Sequence, residues 1–170
     1  MFHVALHEPE IPNNTGNIGR TCVTTGCALH LIEPIGFDLS ERACRRAGLD
    51  YWPRLDLTRH ADVASYERSV GTGRLWLFSR RRGQPYFQAS LRPGDHFLFG
   101  KETAGLPASI MDAHADRVLR LPMLPDERSL NVATVVCAVI YEGIRQCVAR
   151  GDVSLDSDGM LPSTATLRSL

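Results

Sequence analysis

The sequence predicts a single α/β domain with a largely parallel sheet flanked by helices. Three observations carry that prediction. Six strand-like runs alternate with helix-like segments along most of the chain. Two of those runs, Leu75-Trp76-Leu77-Phe78 and Phe97-Leu98-Phe99, are apolar throughout, as strands covered on both faces are. The longest helical pattern, Ser129 to Ala149, repeats Val132, Val136, Val139, Ile140, Ile144 and Val148 largely at three- and four-residue spacing.

Each element has a local reason. Phe2 to Leu6 is short and apolar, and the Pro9, Pro12 and paired Asn that follow predict a strand running into a loop. Thr15 stands as a candidate N-cap before a helix from Gly16 to Cys27. Ala28 to Ile32 is a second strand, stopped by Pro34 and Gly36. Ser40 opens a helix to Ala47, with Glu41 and Arg45 one turn apart. A short strand is expected at Leu55 to Leu57 and a helix over Ala61 to Val70. Pro107 suits the first turn of a helix ending near Ala113. Val118 to Leu121 is the sixth strand. Gly151 to Leu170 is polar and aperiodic, which predicts a loosely docked tail after a domain spanning residues 1–150.

Composition narrows the function classes. The 170 residues suit one domain, and no apolar stretch approaches the roughly 18 residues of a membrane span. Met1-Phe2-His3-Val4 has no charged leader. Five cysteines without a Cys-x-x-Cys pair predict reduced thiols in a cytoplasmic protein, packed as small hydrophobes. The six histidines are scattered, so no metal site is expected. The formal net charge of zero argues against a general nucleic-acid coating protein. Arginines nevertheless cluster at 42, 45 and 46 and at 80–82, where they read either as phosphate ligands or as a solvated surface.

Familiar cofactor signatures are missing. No Gly-x-Gly-x-x-Gly turn follows the first strand, Glu102 follows Gly100-Lys101 where a P-loop needs Ser or Thr, and no Gly-x-Ser-x-Gly elbow occurs. Three other segments concentrate chemistry. Pro9-Glu10-Ile11-Pro12-Asn13-Asn14-Thr15-Gly16-Asn17-Ile18-Gly19-Arg20 gathers amides and one arginine at a loop-to-helix junction. Phe99-Gly100-Lys101-Glu102-Thr103-Ala104-Gly105-Leu106-Pro107 ends a strand in a glycine-bracketed turn, where open α/β sheets bind ligands. Leu121-Pro122-Met123-Leu124-Pro125-Asp126-Glu127-Arg128-Ser129-Leu130-Asn131 is a stiff loop leading to a helix that Ser129 or Asn131 caps. Taken singly, each segment also reads as an ordinary cap or turn.

Together, in this order over roughly residues 2 to 150, the three segments resemble the motifs of the SPOUT methyltransferases, most closely the TrmL (YibK) family. Leu31-Ile32-Glu33-Pro34 and Arg45-Arg46-Ala47-Gly48-Leu49-Asp50-Tyr51 look like further family segments. The resemblance implies a parallel sheet with a C-terminal trefoil knot, S-adenosylmethionine as methyl donor, no metal, and a homodimer. It implies transfer to the ribose 2′-hydroxyl of the wobble nucleotide in a tRNA anticodon stem-loop, on cytidine or carboxymethylaminomethyl-uridine. By position, Phe78, Gly100, Leu121 and Ser129 are expected to border the donor, and Arg20, Asn14, Glu102 and Asn131 to form the catalytic set. A guanidinium stays charged. Arg20 is therefore expected to grip a phosphate and the hydroxyl, and Glu102 to fix geometry rather than act as base. Ala133 stands where many relatives carry Ser, and Lys101 and Ala104 also depart from the nearest motif, which bears on the choice of tRNA. Two other readings stay open: methylation of a different RNA ribose, such as one in rRNA, and a non-catalytic RNA-binding module.

Overall fold

The computed structural model describes residues 1–46 and 48–167. Seven strands form one sheet: β1 (His3–His7), β2 (Ala28–Ile32), β3 (Leu57–His60), β4 (Leu75–Phe78), β5 (Gln84–Pro85), β6 (His96–Phe99) and β7 (Val118–Arg120). Their order is β3-β2-β1-β6-β4-β7-β5, and every pair is parallel. The predicted α/β class with a largely parallel sheet is the observed one. The chain winds outward from β1 to β3, then crosses to β4, so β6 closes between β1 and β4. The carboxyl ends of β1, β6, β4 and β7 thus meet around a point where the strand order reverses, the usual place for a ligand in open α/β sheets.

Among the described residues six α-helices accompany the sheet: α1 (Pro12–Thr25), α2 (Glu41–Arg46), α3 (Val63–Val70), α4 (Ala108–Ala113), α5 (Val132–Arg150) and α6 (Thr164–Leu167). α1 begins earlier than Thr15 predicted. Ile11 is its extended N-cap and Pro12 its first residue, because proline has the helical φ already set and lacks only an N–H that would go unused there. Thr15 is therefore buried inside the helix. Gly26, at φ 67°, caps it in the left-handed conformation, so the helix ends at Thr25, two residues short of the expected Cys27. The expected strand at 55–57 is displaced to 57–60, after a 3-10 turn over Trp52–Arg54. Its exposed Thr58 and Arg59 suit an edge strand and hide the apolar alternation. β5, two residues long, has too little sequence to show a period. The helix expected to run to Ala47 is seen to Arg46; Ala47 lies outside the described residues, as do the side chains of the expected Glu41–Arg45 pair.

Alternation along the strands builds two cores. Val4, Leu6, Leu29, Leu31, Phe97 and Phe99 face α1 and α5, whose Ile18, Cys22, Val136, Val139 and Ile140 are fully buried. Phe2 fits under Gly143, where an added Cβ would lie 2.6 Å from the ring. Contrary to the composition reading, α5 is long and apolar enough to cross a membrane by length and hydropathy. Its polar side chains instead serve this fold: the buried Gln146 accepts from Leu91 N at 2.9 Å and donates to Ala89 O at 3.0 Å. The polar C-terminal segment is anchored too, with Val153 and Leu167 in the same core and Met1 N donating to Leu167 O.

On the other face Ala5, Ile32, Leu75, Leu77, Leu98 and Val118 pack with Tyr66 of α3. Four of the scattered histidines point here as well. The register sets His3 beside His96, with rings stacked at 4.2 Å. His3 Nδ1 lies 3.0 Å from His30 Nε2, and His30 Nδ1 lies 3.0 Å from His60 Nε2. His96 Nδ1 meets the Tyr66 hydroxyl at 3.0 Å. A neutral imidazole has one donor and one acceptor, so His30 donates on one side and accepts on the other, and the chain of bonds has a single direction.

Burial, the leading cause for all four rings, holds each below the ordinary histidine range, His30 at about 4 and His96 at about 3. Asp56 pulls His3 and His30 upward, while the N-terminal ammonium pushes His3 down. In the unfolded chain the same rings take up protons near about pH 6.5. The unfolded state therefore binds more protons between that pH and the folded values, and the stability present above pH 6.5 is lost as the pH falls. Urea unfolding midpoints should decline steadily from about pH 6.5 to 5, before most carboxylates titrate. A flat profile over that window would show that the four rings do not resist protonation in the fold.

Candidate active site

The carboxyl ends of β1, β6, β4 and β7 carry the loops that the sequence singled out. After β1, Glu8 takes a left-handed φ of 49° and turns the chain toward Pro9. After β6 the chain doubles back so tightly that a Cβ on Gly100 would lie 2.1 Å from the Gly105 carbonyl carbon. Only glycine fits there, and Gly105 N closes the turn onto Lys101 O at 2.8 Å.

Side chains from the two loops cap one another. The Glu10 carboxylate accepts from Thr103 N at 3.0 Å and from the Thr103 hydroxyl at 2.8 Å. Glu102 returns the favour, accepting from Glu10 N and from Asn14 Nδ2, both at 2.9 Å. Lys101 Nζ binds Glu8 Oε2 at 2.6 Å. The Thr103 hydroxyl and amide hold the Glu10 carboxyl below its ordinary range, Lys101 does the same for Glu8, and Glu8 raises Lys101. All three groups are charged at neutral pH.

Asn14 carries the connection onward. Its Oδ1 accepts from Asn131 Nδ2 at 2.8 Å, and Asn131 Oδ1 caps α5 by accepting from Ala133 N at 2.9 Å and Thr134 N at 3.4 Å. Asn131, not Ser129, is the cap, so α5 starts at Val132. The line Glu102–Asn14–Asn131 ties the three segments together through side chains alone, and Asn14 within it is buried.

This line borders a cleft of about 460 Å³. Phe78, stacked on Phe99 at 4.6 Å, gives it a flat apolar wall, to which Leu106 and Leu121 add. The volume and the mix of apolar walls with a few polar groups are those of a small-molecule site. Seven of the predicted residues line it: Asn14, Phe78, Gly100, Glu102, Leu121, Ser129 and Asn131. Arg80, Arg81 and Arg128 border it as well, with Arg80 donating to the Arg128 carbonyl. Arg82, from the same cluster, is paired with Asp112 at 2.7 Å.

Arg20 is the exception. It lines a neighbouring hollow of about 320 Å³ with Asn17, Phe37, Tyr51 and Trp52. Six residues beyond Asn14, it is roughly 9 Å along α1 and roughly 120° around it. Its guanidinium sits 4.6 Å over the Tyr51 ring and Nη2 lies 3.8 Å from Asp50 Oδ1, while Tyr51 donates to Gly16 O at 2.5 Å. The pocket of one chain thus gathers the other seven residues and leaves Arg20 outside. Sequence reasoning also passed over Glu10 and Tyr51 as organisers. The alternation Glu8-x-Glu10 facing Lys101-x-Thr103 was the available signal for the first, and the aromatic after Asp50 for the second.

Comparison with known proteins follows the same lines. The SpoU rRNA Methylase family matches residues 1–141. A tRNA (cytidine(34)-2'-O)-methyltransferase of Saccharophagus degradans is 45% identical over 147 residues, covering 86% of this chain and 96% of that protein. The enzyme of the same name from Escherichia coli K12 is 44% identical over 157 residues, covering 92% and 100%. Among solved structures, a protein described in terms of 2-OH methylation of C/U34 on tRNA superposes with a TM-score of 0.81 at 42% identity, covering 88% of this chain and 98% of its own. With the three segments meeting at one cleft and this likeness spanning most of the chain, the protein belongs to the SpoU methylase family.

Proposed function

We propose that this chain transfers a methyl group from S-adenosylmethionine to the 2′-hydroxyl of nucleotide 34 in tRNA, a cytidine or carboxymethylaminomethyl-uridine. The observation that carries the reading is the Glu102–Asn14–Asn131 line set along an apolar cleft at the strand ends. Relatives named for that reaction at nucleotide 34 support it over most of the chain.

The cleft suits the donor chemically. Phe78 and Leu121 offer apolar surface to a purine, and Gly100 and Ser129 bring backbone and hydroxyl groups to its edge. The donor supplies an already activated methyl sulfonium, so the protein's share is orientation and removal of one proton. Asn14 and Asn131 hold the loops in register, and Glu102, occupied by two donors, is a positioning group rather than a base. Arg20 grips the phosphate beside the reacting ribose and orients the hydroxyl. As the ribose oxygen takes the methyl group, its proton leaves to that phosphate. Arg80, Arg81 and Arg128 at the cleft meet further phosphates of the anticodon stem-loop.

A homodimer belongs to this reading. Leu130 and Tyr141 are exposed, and Cys137 and Ala138 of α5 are only half-buried, apolar surface for a second copy. In such a pair Arg20 serves the partner's cleft. The trefoil knot of the resemblance is part of the same reading; it is supported by the reach of Arg80 to the Arg128 carbonyl. A cytoplasmic location is supported by the tRNA substrate and the free thiols.

The reaction is tested by incubating the protein with tRNA from cells lacking this activity and locating 2′-O-methylation by nucleoside mass spectrometry. Methylation should be confined to nucleotide 34, and Arg20→Ala should abolish it while S-adenosylhomocysteine binds as before. Methylation elsewhere, or in rRNA, would replace the substrate assignment.

Glu102→Gln offers a sharper check on the site. The amide turns one acceptor into a donor facing either Glu10 N or Asn14 Nδ2, at a cost of about 1–3 kcal/mol. Calorimetry should find weaker S-adenosylhomocysteine binding as well as slower turnover; unchanged binding would detach Glu102 from the donor cleft.

Light scattering during size-exclusion chromatography should give about twice 18.8 kDa at micromolar concentration. A monomer with full activity would end the shared-site reading.

A further inference from the structure

The histidines on the α3 face are not used by the methylation reading. His3 and His96 open β1 and β6, at the ends of those strands remote from the cleft. We propose that His3, His30 and His96 form a binding site for one divalent late first-row transition-metal ion, with Zn²⁺ as the reference ion. One nitrogen from each ring lies within 4.8 Å of the other two. A tetrahedral Zn²⁺ with bonds of about 2.0–2.1 Å needs its nitrogens about 3.3 Å apart. His3 Nδ1 and His30 Nε2, at 3.0 Å, need to open only slightly, the ion replacing the proton they share.

The outer contacts are those that orient metal-bound imidazoles. With Nε2 of His30 on the ion, Nδ1 faces His60 Nε2 at 3.0 Å. With Nε2 of His96 on the ion, Nδ1 faces the Tyr66 hydroxyl at 3.0 Å. Partners of this kind fix the tautomer and the ring plane. The stacked rings of His3 and His96 are nearly parallel, at 6°, and parallel rings cannot both hold an ion in their planes. One of them turns on binding. His3, half-buried where His96 is buried, stands at the edge of the cluster and is the ring that turns. Gly73 leaves His96 its space, since a Cβ there would lie 2.9 Å from the ring. Solvent at the His3 edge supplies the fourth ligand. Of the charges that face the cluster, Asp56 favours a cation and the N-terminal ammonium, held on Leu167 O, opposes it. Burial keeps the rings neutral at physiological pH, the form that ligates. Three imidazoles select Zn²⁺, Co²⁺, Ni²⁺ or Cu²⁺ over magnesium or calcium.

The test uses the full chain, freed of metal by chelator dialysis and titrated with Co²⁺ at pH 7.5. One equivalent should bind, with the visible d–d absorption of a nitrogen-ligated tetrahedral site, and Zn²⁺ should displace it and raise the melting temperature. His3→Gln should weaken binding by about 10-fold or more, while His114→Gln, on the surface beside Glu67, leaves it unchanged. S-adenosylhomocysteine affinity should be the same with and without Zn²⁺, separating this site from the cleft. Should His3→Gln unfold, the wild-type stoichiometry and spectrum decide alone. Failure to bind Co²⁺ at micromolar concentration overturns the proposal, as do thiolate charge-transfer bands or binding that survives His3→Gln.

Discussion

Both oxygens of the Glu102 side chain accept hydrogen bonds, and the organisation of the cleft follows from that. Because its two oxygens face Glu10 N and Asn14 Nδ2, Asn14 must turn its carbonyl the other way. That carbonyl then requires a donor from Asn131, whose own oxygen is left free for the first turn of α5. A carboxylate on one loop thereby sets the amide orientation on a second and the cap of a helix on a third. Glu10 ties the first two loops from the opposite direction through Thr103. Asn14 is buried, so breaking any link strands a polar group where water does not readily replace it. The stiffness of the glycine turn at 100–105 matters for the same reason: it delivers Glu102 to one place.

The strands that were legible are those with both faces covered. Leu75–Phe78 and Phe97–Phe99 stand in the middle of the sheet, and their composition says so. The edge strand β3 shows no apolar alternation because Thr58 and Arg59 point to solvent, and β5 is too short to carry a pattern. At the start of α1 the capping side chain of Thr15 points to one boundary and Pro12 to another, and the backbone geometry of proline decides the first turn. The three segments of the site were readable as segments. Their mutual bonds were not, since Glu102 and Asn14 are 88 residues apart and only the crossing of β6 between β1 and β4 brings them together.

The histidines show the same limit more sharply. No spacing among His3, His30, His60 and His96 suggests a cluster. Parallel register alone sets His3 beside His96 and His30 beside Ala5, and alternation turns all of them to the α3 face. Where the α1–α5 face is filled with Phe, Leu and Val, this face holds imidazoles at sites that could carry aliphatic side chains. Neutral, mutually bonded rings can occupy a core, but they tie its stability to pH in a way that leucine would not. The stacked His3 and His96 stand where β1 and β6 begin and the cleft lies where they end, while His7 and His60 carry buried rings to the carboxyl ends of β1 and β3.

The position of Arg20 follows from the helix that carries it. α1 is continuous from Pro12 to Thr25, so the offset between Asn14 and Arg20 is fixed by helical geometry. A change of rotamer does not carry Arg20 round that offset, and the Tyr51 ring beneath the guanidinium favours its present direction. Tyr51 is itself fastened to α1 through Gly16 O, and burial keeps its phenol protonated and able to donate. The arginine is therefore presented outward by a rigid support rather than left to search. α1 also packs against α5, whose exposed Tyr141 and half-buried Cys137 and Ala138 form an apolar strip. A two-fold pairing through that strip would exchange the outward-facing arginines between two clefts. In such a pair one helix would do two jobs, anchoring its own loops through Asn14 and presenting Arg20 to the neighbouring cleft.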